Sequence, residues 1–221
     1  KELAEHSLSR AVQSSSLQLL LLPFRPGTEE EVELNFESLA LTDDALLSYT
    51  GSPALEYCQV FRLGQSRFRG ATFARLLGEQ GMPALTVLEL GSCEWNDRDV
   101  VDFCACVPLL PALEELDLSN NLFAVEGVLS LVESGLFQQL KSLKLRGCTP
   151  DQSALESILC PNSPSTLEIL ELSYLRDENL LFRQLASTPH YPRLKELELQ
   201  AGPDTESMLK AFVEEKNLPA L

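Results

Sequence analysis

The side chains able to act as nucleophiles, general bases or metal ligands are few and scattered. Two histidines, His6 and His190, stand far apart, and neither adjoins a recurring cysteine, serine or carboxylate grouping. Acid–base catalysis needs a group held within hydrogen-bond reach of its proton, and no spacing here supplies one. The signatures G-x-x-x-x-G-K-[ST], G-x-G-x-x-G, H-E-x-x-H and G-x-S-x-G do not occur. Six cysteines (Cys58, Cys93, Cys104, Cys106, Cys148 and Cys160) are too few for a disulfide scaffold, and none form a C-x-x-C pair. They read as reduced thiols of an intracellular protein, cytoplasmic or nuclear, with no catalytic residue, metal or cofactor expected. Cys104 and Cys106, two apart on one expected helix, point to different faces.

Charge, by contrast, recurs at a fixed interval. Glu89, Asp117, Lys144, Glu171 and Glu198 are spaced by 28, 27, 27 and 27 residues. Each follows a leucine at the fourth place of L-x-x-L-x-L: LTVLEL (85–90), LEELDL (113–118), LKSLKL (140–145), LEILEL (167–172) and LKELEL (194–199). Two weaker copies, Phe61-Arg62-Leu63 and Val32-Glu33-Leu34, precede them and extend the charged column to Arg62 and Glu33. A period in the twenties signals a stacked-repeat architecture and outranks local secondary-structure preference.

The intervening residues supply what must hold these columns in place. Twelve positions beyond each strand's first core residue come Phe73/Leu76/Leu77, Val100/Phe103/Cys104, Val128/Leu131/Val132, Leu155/Ile158/Leu159, Phe182/Leu185/Ala186 and Leu209/Phe212/Val213. Spacing of i, i+3, i+4 marks one face of a helix. In the first copy the triplet degrades to Asp44/Leu47/Ser48. Thr149-Pro150-Asp151-Gln152 reads as a capping box, and Asn96, Asp177 and Asp204 as N-caps. Returns to the next strand run through proline or glycine. Each unit is thus strand, loop, helix.

With LEELDLSNN, a following helix containing Gly127, and Cys93, Asn121 or Cys148 at the ninth position, the chain resembles the ribonuclease-inhibitor class of leucine-rich repeats. The resemblance covers residues 55–221 closely and 30–54 more loosely. It implies an α/β solenoid, a horseshoe with parallel strands on the concave face and helices on the convex one. It also implies that Cys93, Asn121 and Cys148 hydrogen-bond the turn backbone. Trp95, matched by Phe68, Phe123 and Pro150 in other units, reads as loop-core packing, with a partner anchor as the alternative.

The expected organisation is a cap or partial repeat over 1–30 and about seven repeats of 27–29 residues over 31–221, the last incomplete, in a piece of a longer protein. Leu17-Gln18-Leu19 resembles a further strand too close to Val32 for a return helix, so PFRPGTEEE is either a short cap or the scar of a missing insertion. No apolar run approaches the ~20 residues that span a bilayer.

Strand residues between the leucines face water if the leucines face the core. The third positions are Glu31, Val60, Val87, Glu115, Ser142, Ile169 and Glu196; the seventh are Asn35, Gly64, Gly91, Ser119, Arg146, Ser173 and Gln200. Arg62 is expected to pair with Glu33 and Glu89, and Lys144 with Asp117 and Glu171. Glu171, Glu196 and Glu198 are left with no basic column neighbour beyond Lys144. Val60, Val87 and Ile169 are expected to be exposed. The candidate partner-binding residues are Glu89, Asp117, Lys144, Arg146, Glu171, Glu196 and Glu198.

With 33 acidic and 17 basic residues and a formal charge of −16, nucleic acid is an unsuitable partner and a membrane is not expected. A protein with a basic or mixed-charge surface fits, and a merely solvated acidic face is the competing reading. The resemblance implies a non-catalytic recognition scaffold. Intracellular repeats of this class are similar to substrate-recruiting subunits of cullin ubiquitin ligases, whose adaptor-binding box would lie outside this sequence. Alternatives of the same resemblance are activators of the GTPase Ran and the sensor repeats of nucleotide-binding innate-immune receptors.

Overall fold

The structure is a computed structural model that describes residues 32–148, Ala154, Ser157, Ile158, 165–173 and 191–200. The expectations for Leu17 to Leu19, for the Pro23–Glu31 segment, for the caps at 149–152, Asp177 and Asp204, for the helical triplets beginning at Phe182 and Leu209, and for His6, Cys160 and His190 lie outside these residues, as does most of the Leu155 triplet.

The architecture is α/β. Seven strands, β1 (Glu33–Asn35), β2 (Val60–Arg62), β3 (Val87–Glu89), β4 (Glu115–Asp117), β5 (Ser142–Leu145), β6 (Ile169–Ser173) and β7 (Glu196–Gln200), form one all-parallel sheet in chain order. Leu88, Leu116, Leu143, Leu170 and Leu197 are register partners in succession. Between strands lie α1 (Asp43–Leu47), α2 (Pro53–Tyr57), α3 (Gly70–Leu77), α4 (Asp97–Cys104) and α5 (Val125–Glu133). The core joins strand leucines such as Leu88, Leu90, Leu116 and Leu118 to Phe73, Leu76, Val100, Phe103, Val128 and Leu131 of the helices.

One register expectation is corrected. Leu34, not Val32, is the partner of Phe61, so Asn35 stands beside Arg62 and Glu33 beside Val60. A slip of two residues leaves every side chain on its original face, which is why apolar alternation alone did not resolve it. The same shift moves the expected helical core residue from position 44 to 46, and Leu46 and Tyr49 are buried. The degraded triplet was a counting offset. That unit differs instead in carrying two helices of five residues each.

Strand exits share a backbone state. Four residues after Leu34, Phe61, Leu88, Leu116 and Leu143 stand Ser38, Gln65, Ser92, Asn120 and Gly147, all with φ between 57° and 67°. L-residues rarely adopt this left-handed region, and only Asn120 and Gly147 are types that favour it. At Gly147 a Cβ would also collide with the Asn120 side chain.

Helix starts are secured partly from neighbouring units. Asn96 caps α4 within its own unit, in a capping box with Asp99. Helices α3 and α5 follow Arg69 and Ala124, whose side chains do not cap. Asp43 Oδ1 instead accepts from Arg69 N at 2.9 Å, and Asp99 Oδ1 from Gly70 N at 2.9 Å. Asp97 Oδ1 accepts from Ala124 N at 2.7 Å and Gly127 N at 2.8 Å. Carboxylates near a helix N-terminus satisfy its free donors and oppose its dipole favourably.

Candidate partner-binding face

From Leu88 to Leu172 the leucines at the fourth and sixth strand positions are buried, so the odd positions form the opposite face of the sheet. Their charged side chains are mostly exposed or half-buried, hence no described element covers them. Hydrogen bonding between neighbouring units continues past the strands: Leu90 N donates to Asp117 O, Ser92 N to Ser119 O, Leu118 N to Lys144 O. The alternation therefore persists through position seven.

Ion pairs run across this face. Arg62 Nε lies 2.9 Å from Glu33, reached diagonally, and Arg62 also bonds Glu89. The Glu89 hydrogen bond, with that of Glu33, holds the Arg62 guanidinium more firmly protonated than usual. Further along, Lys144 Nζ is 3.6 Å from Glu171, Arg146 Nε is 2.8 Å from Glu171, and Arg146 bonds Glu198 as well. Arg146, from position seven, thus supplies the compensation that a single-column reading omitted. Glu171 is buried beneath these two bases, and Lys144 and Arg146 are both already engaged within the sheet.

Asp117 does not pair with Lys144, although the two are register partners. Its Oδ1 accepts from Ser119 N at 2.8 Å, a short local turn bond that competes with the longer reach to an ammonium. Glu115 and Glu196 are exposed and make no ion pair among the described residues. Val60, expected to be exposed, is 5% accessible; Val87 and Ile169 are half-buried.

A second ladder was not singled out from the sequence. Lys141 Nζ lies 2.7 Å from Glu114 and Lys195 Nζ 2.6 Å from Glu168. The signal was present as alternating charge at the second motif position, Glu114, Lys141, Glu168, Lys195. Hydrogen bonding to Glu114 raises the Lys141 pKa, and that to Lys195 lowers the Glu168 pKa. Exposed pairs of this kind are screened by solvent and add little to stability.

The remaining candidates are structural. Asn121, 2% exposed, accepts from Cys93 N at 3.1 Å and Trp95 N at 3.0 Å and donates to Leu90 O at 2.9 Å and Leu118 O at 2.8 Å. Cys93 and Cys148 donate their thiols to Leu63 O at 3.5 Å and Leu118 O at 3.3 Å, each in the preceding unit. Burial raises their pKa values to about 11, and those of Cys58 and Cys104 to about 12. Cys106 lies beyond the end of α4 rather than on it. Trp95 is fully buried, donates Nε1–H to Phe68 O at 2.9 Å and packs edge-on against Phe68, so it anchors the core rather than a partner.

Among the described residues no helix is long and apolar enough to cross a membrane, and no group of three or more His, Cys, Asp or Glu is placed to hold a metal. No family model and no curated protein matches the chain. Among solved structures it is similar to one titled leiomodin-1 actin-binding site 2, at 13% identity and a TM-score of 0.39 over 83% of this chain and 79% of that one.

Proposed function

We propose that this chain is a leucine-rich-repeat solenoid of the ribonuclease-inhibitor-like class and acts as a non-catalytic protein-recognition scaffold. The observation that carries the reading is a seven-stranded parallel sheet with an apolar face in the core and a charged face that no described element covers. Parallel sheets are ordinarily covered on both sides, and an open face is what a horseshoe leaves available to a partner. The partner is a protein of basic or mixed charge. The LxxLxL-to-Cys or -Asn pattern further supports an intracellular setting, with substrate recruitment to a cullin ubiquitin ligase as the specific role.

Two measurements test this. Small-angle scattering is expected to report an extended, curved particle, and a compact sphere would overturn the solenoid. Proteins captured by the purified chain should be lost with Glu196→Lys combined with Glu198→Lys and retained with Glu79→Lys, an exposed site near the end of α3. Capture indifferent to the sheet-face changes would remove the recognition reading.

A further inference from the structure

A charge already met inside the protein has less to offer a partner, because a new pair must displace the old one. On the open face Glu33 and Glu89 share Arg62, while Glu171 and Glu198 share Arg146, with Lys144 also on Glu171. Strand β4 is different. Glu115 makes no ion pair among the described residues, and Lys141, whose charge it influences, is bonded to Glu114. Asp117 commits one oxygen to Ser119 N, and the other has no described hydrogen-bond donor.

Beside these carboxylates is an unexplained hydroxyl. Ser119 is on the same side of the chain as Glu115 and Asp117 and is 6% exposed, yet its Oγ has no hydrogen-bond partner. A buried, unpaired hydroxyl costs about 1–3 kcal/mol, so its retention asks for a reason. The equivalent positions of the two preceding strands are Gly64 and Gly91, which place no side chain there. The side chain of Glu37 closes the far end, its Cγ 3.6 Å from where a Cβ on Gly64 would stand. Gly64, Gly91 and Ser119 thus form a row of small residues across the face, with the Glu37 side chain beside Gly64, the Asp117 carboxylate beside Gly91 and Glu115 on the same strand, which makes it an acidic seat.

We propose that this seat receives an arginine side chain from a basic segment of a partner protein, which rests on the reading of this face as a recognition surface. A guanidinium carries five donors in a planar fork and no acceptor, so it can serve the Asp117 carboxylate and the Ser119 hydroxyl together. The Ser119 hydroxyl is withdrawn from solvent as it stands, and rotation about χ1 is what turns its lone pairs toward the guanidinium. Glu115 attracts the neighbouring basic residues. Lysine, a point charge, fits the same seat less well.

The test uses short random peptides displayed on phage and selected on the intact chain. Recovered sequences are expected to share an arginine, and synthetic versions to bind with a Kd that rises about tenfold on Ser119→Ala, on Gly91→Ala or on peptide Arg→Lys. Both protein variants keep the fold: the serine hydroxyl has no partner to lose, and a Cβ at Gly91 meets nothing closer than Ser119 O at 3.5 Å. Thermal melting of each variant checks this independently. Failure to recover any binder, recovery of peptides without a basic residue, or basic peptides that bind both variants normally would overturn the seat. Peptides lost on Ile169→Asp or Glu196→Lys but not on Ser119→Ala would leave the recognition face standing without the seat. Binders indifferent to every sheet-face change would remove both.

Discussion

The two faces of the sheet obey opposite rules. On the core face, positions four and six repeat from strand to strand as Leu88/Leu90, Leu116/Leu118, Leu143/Leu145 and Leu170/Leu172, all buried. On the open face, position five runs Asn35, Arg62, Glu89, Asp117, Lys144, Glu171, Glu198, with little repetition. Close packing allows one size and shape per layer, so the core face must repeat. Solvent imposes no such demand, and the open face is free to vary with the neighbouring charges.

The largest effect should come from the core. Leu116→Ala removes a side chain 1% exposed and is expected to cost about 2–5 kcal/mol in urea unfolding; a loss under 1 kcal/mol would deny that this face carries the stability. Next is Asn121→Ala, which strands two backbone donors and two carbonyls at the strand exit and should cost about 2–3 kcal/mol.

Buried thiols give a smaller effect with a defined sign. Cys148 titrates at about 11 in the folded chain against an ordinary value of 9.0, so its contribution is complete below pH 9 and is lost as pH rises through 11. Between pH 9 and 10 that one group should withdraw about 1 kcal/mol. Melting curves across this range should be flatter in Cys148→Ala than in the native chain. The smallest change belongs to the open face. Arg62→Gln breaks two partly exposed pairs and is expected to shift stability by about 1 kcal/mol or less; a larger loss would show that this face, too, is structural.

Much of this was legible from residue order because a repeated core writes itself as a repeated pattern. The strands, the three helices α3 to α5, the Asn96 cap, the packing of Trp95 and the Arg62 pairs follow from period and spacing. The first register was not legible, since a two-residue slip keeps apolar and polar faces intact. Nor were the borrowed caps, because Asp43 and Asp97 serve donors a whole unit away and carry no local signature.

By itself the sequence determined the strand-and-helix period, the residues committed to the core, and the acidic character of the whole. Beyond the Arg62 pairs and Lys144 with Glu171, only the tertiary structure decided which charges meet. Arg146 reaches across strands to Glu171 and Glu198, and Asp117 turns to its own Ser119 instead of Lys144. Apolar burial is set by a side chain's face, which alternation encodes. Ion pairing depends on side-chain reach and on competing local hydrogen bonds, which become definite only once neighbouring strands lie side by side.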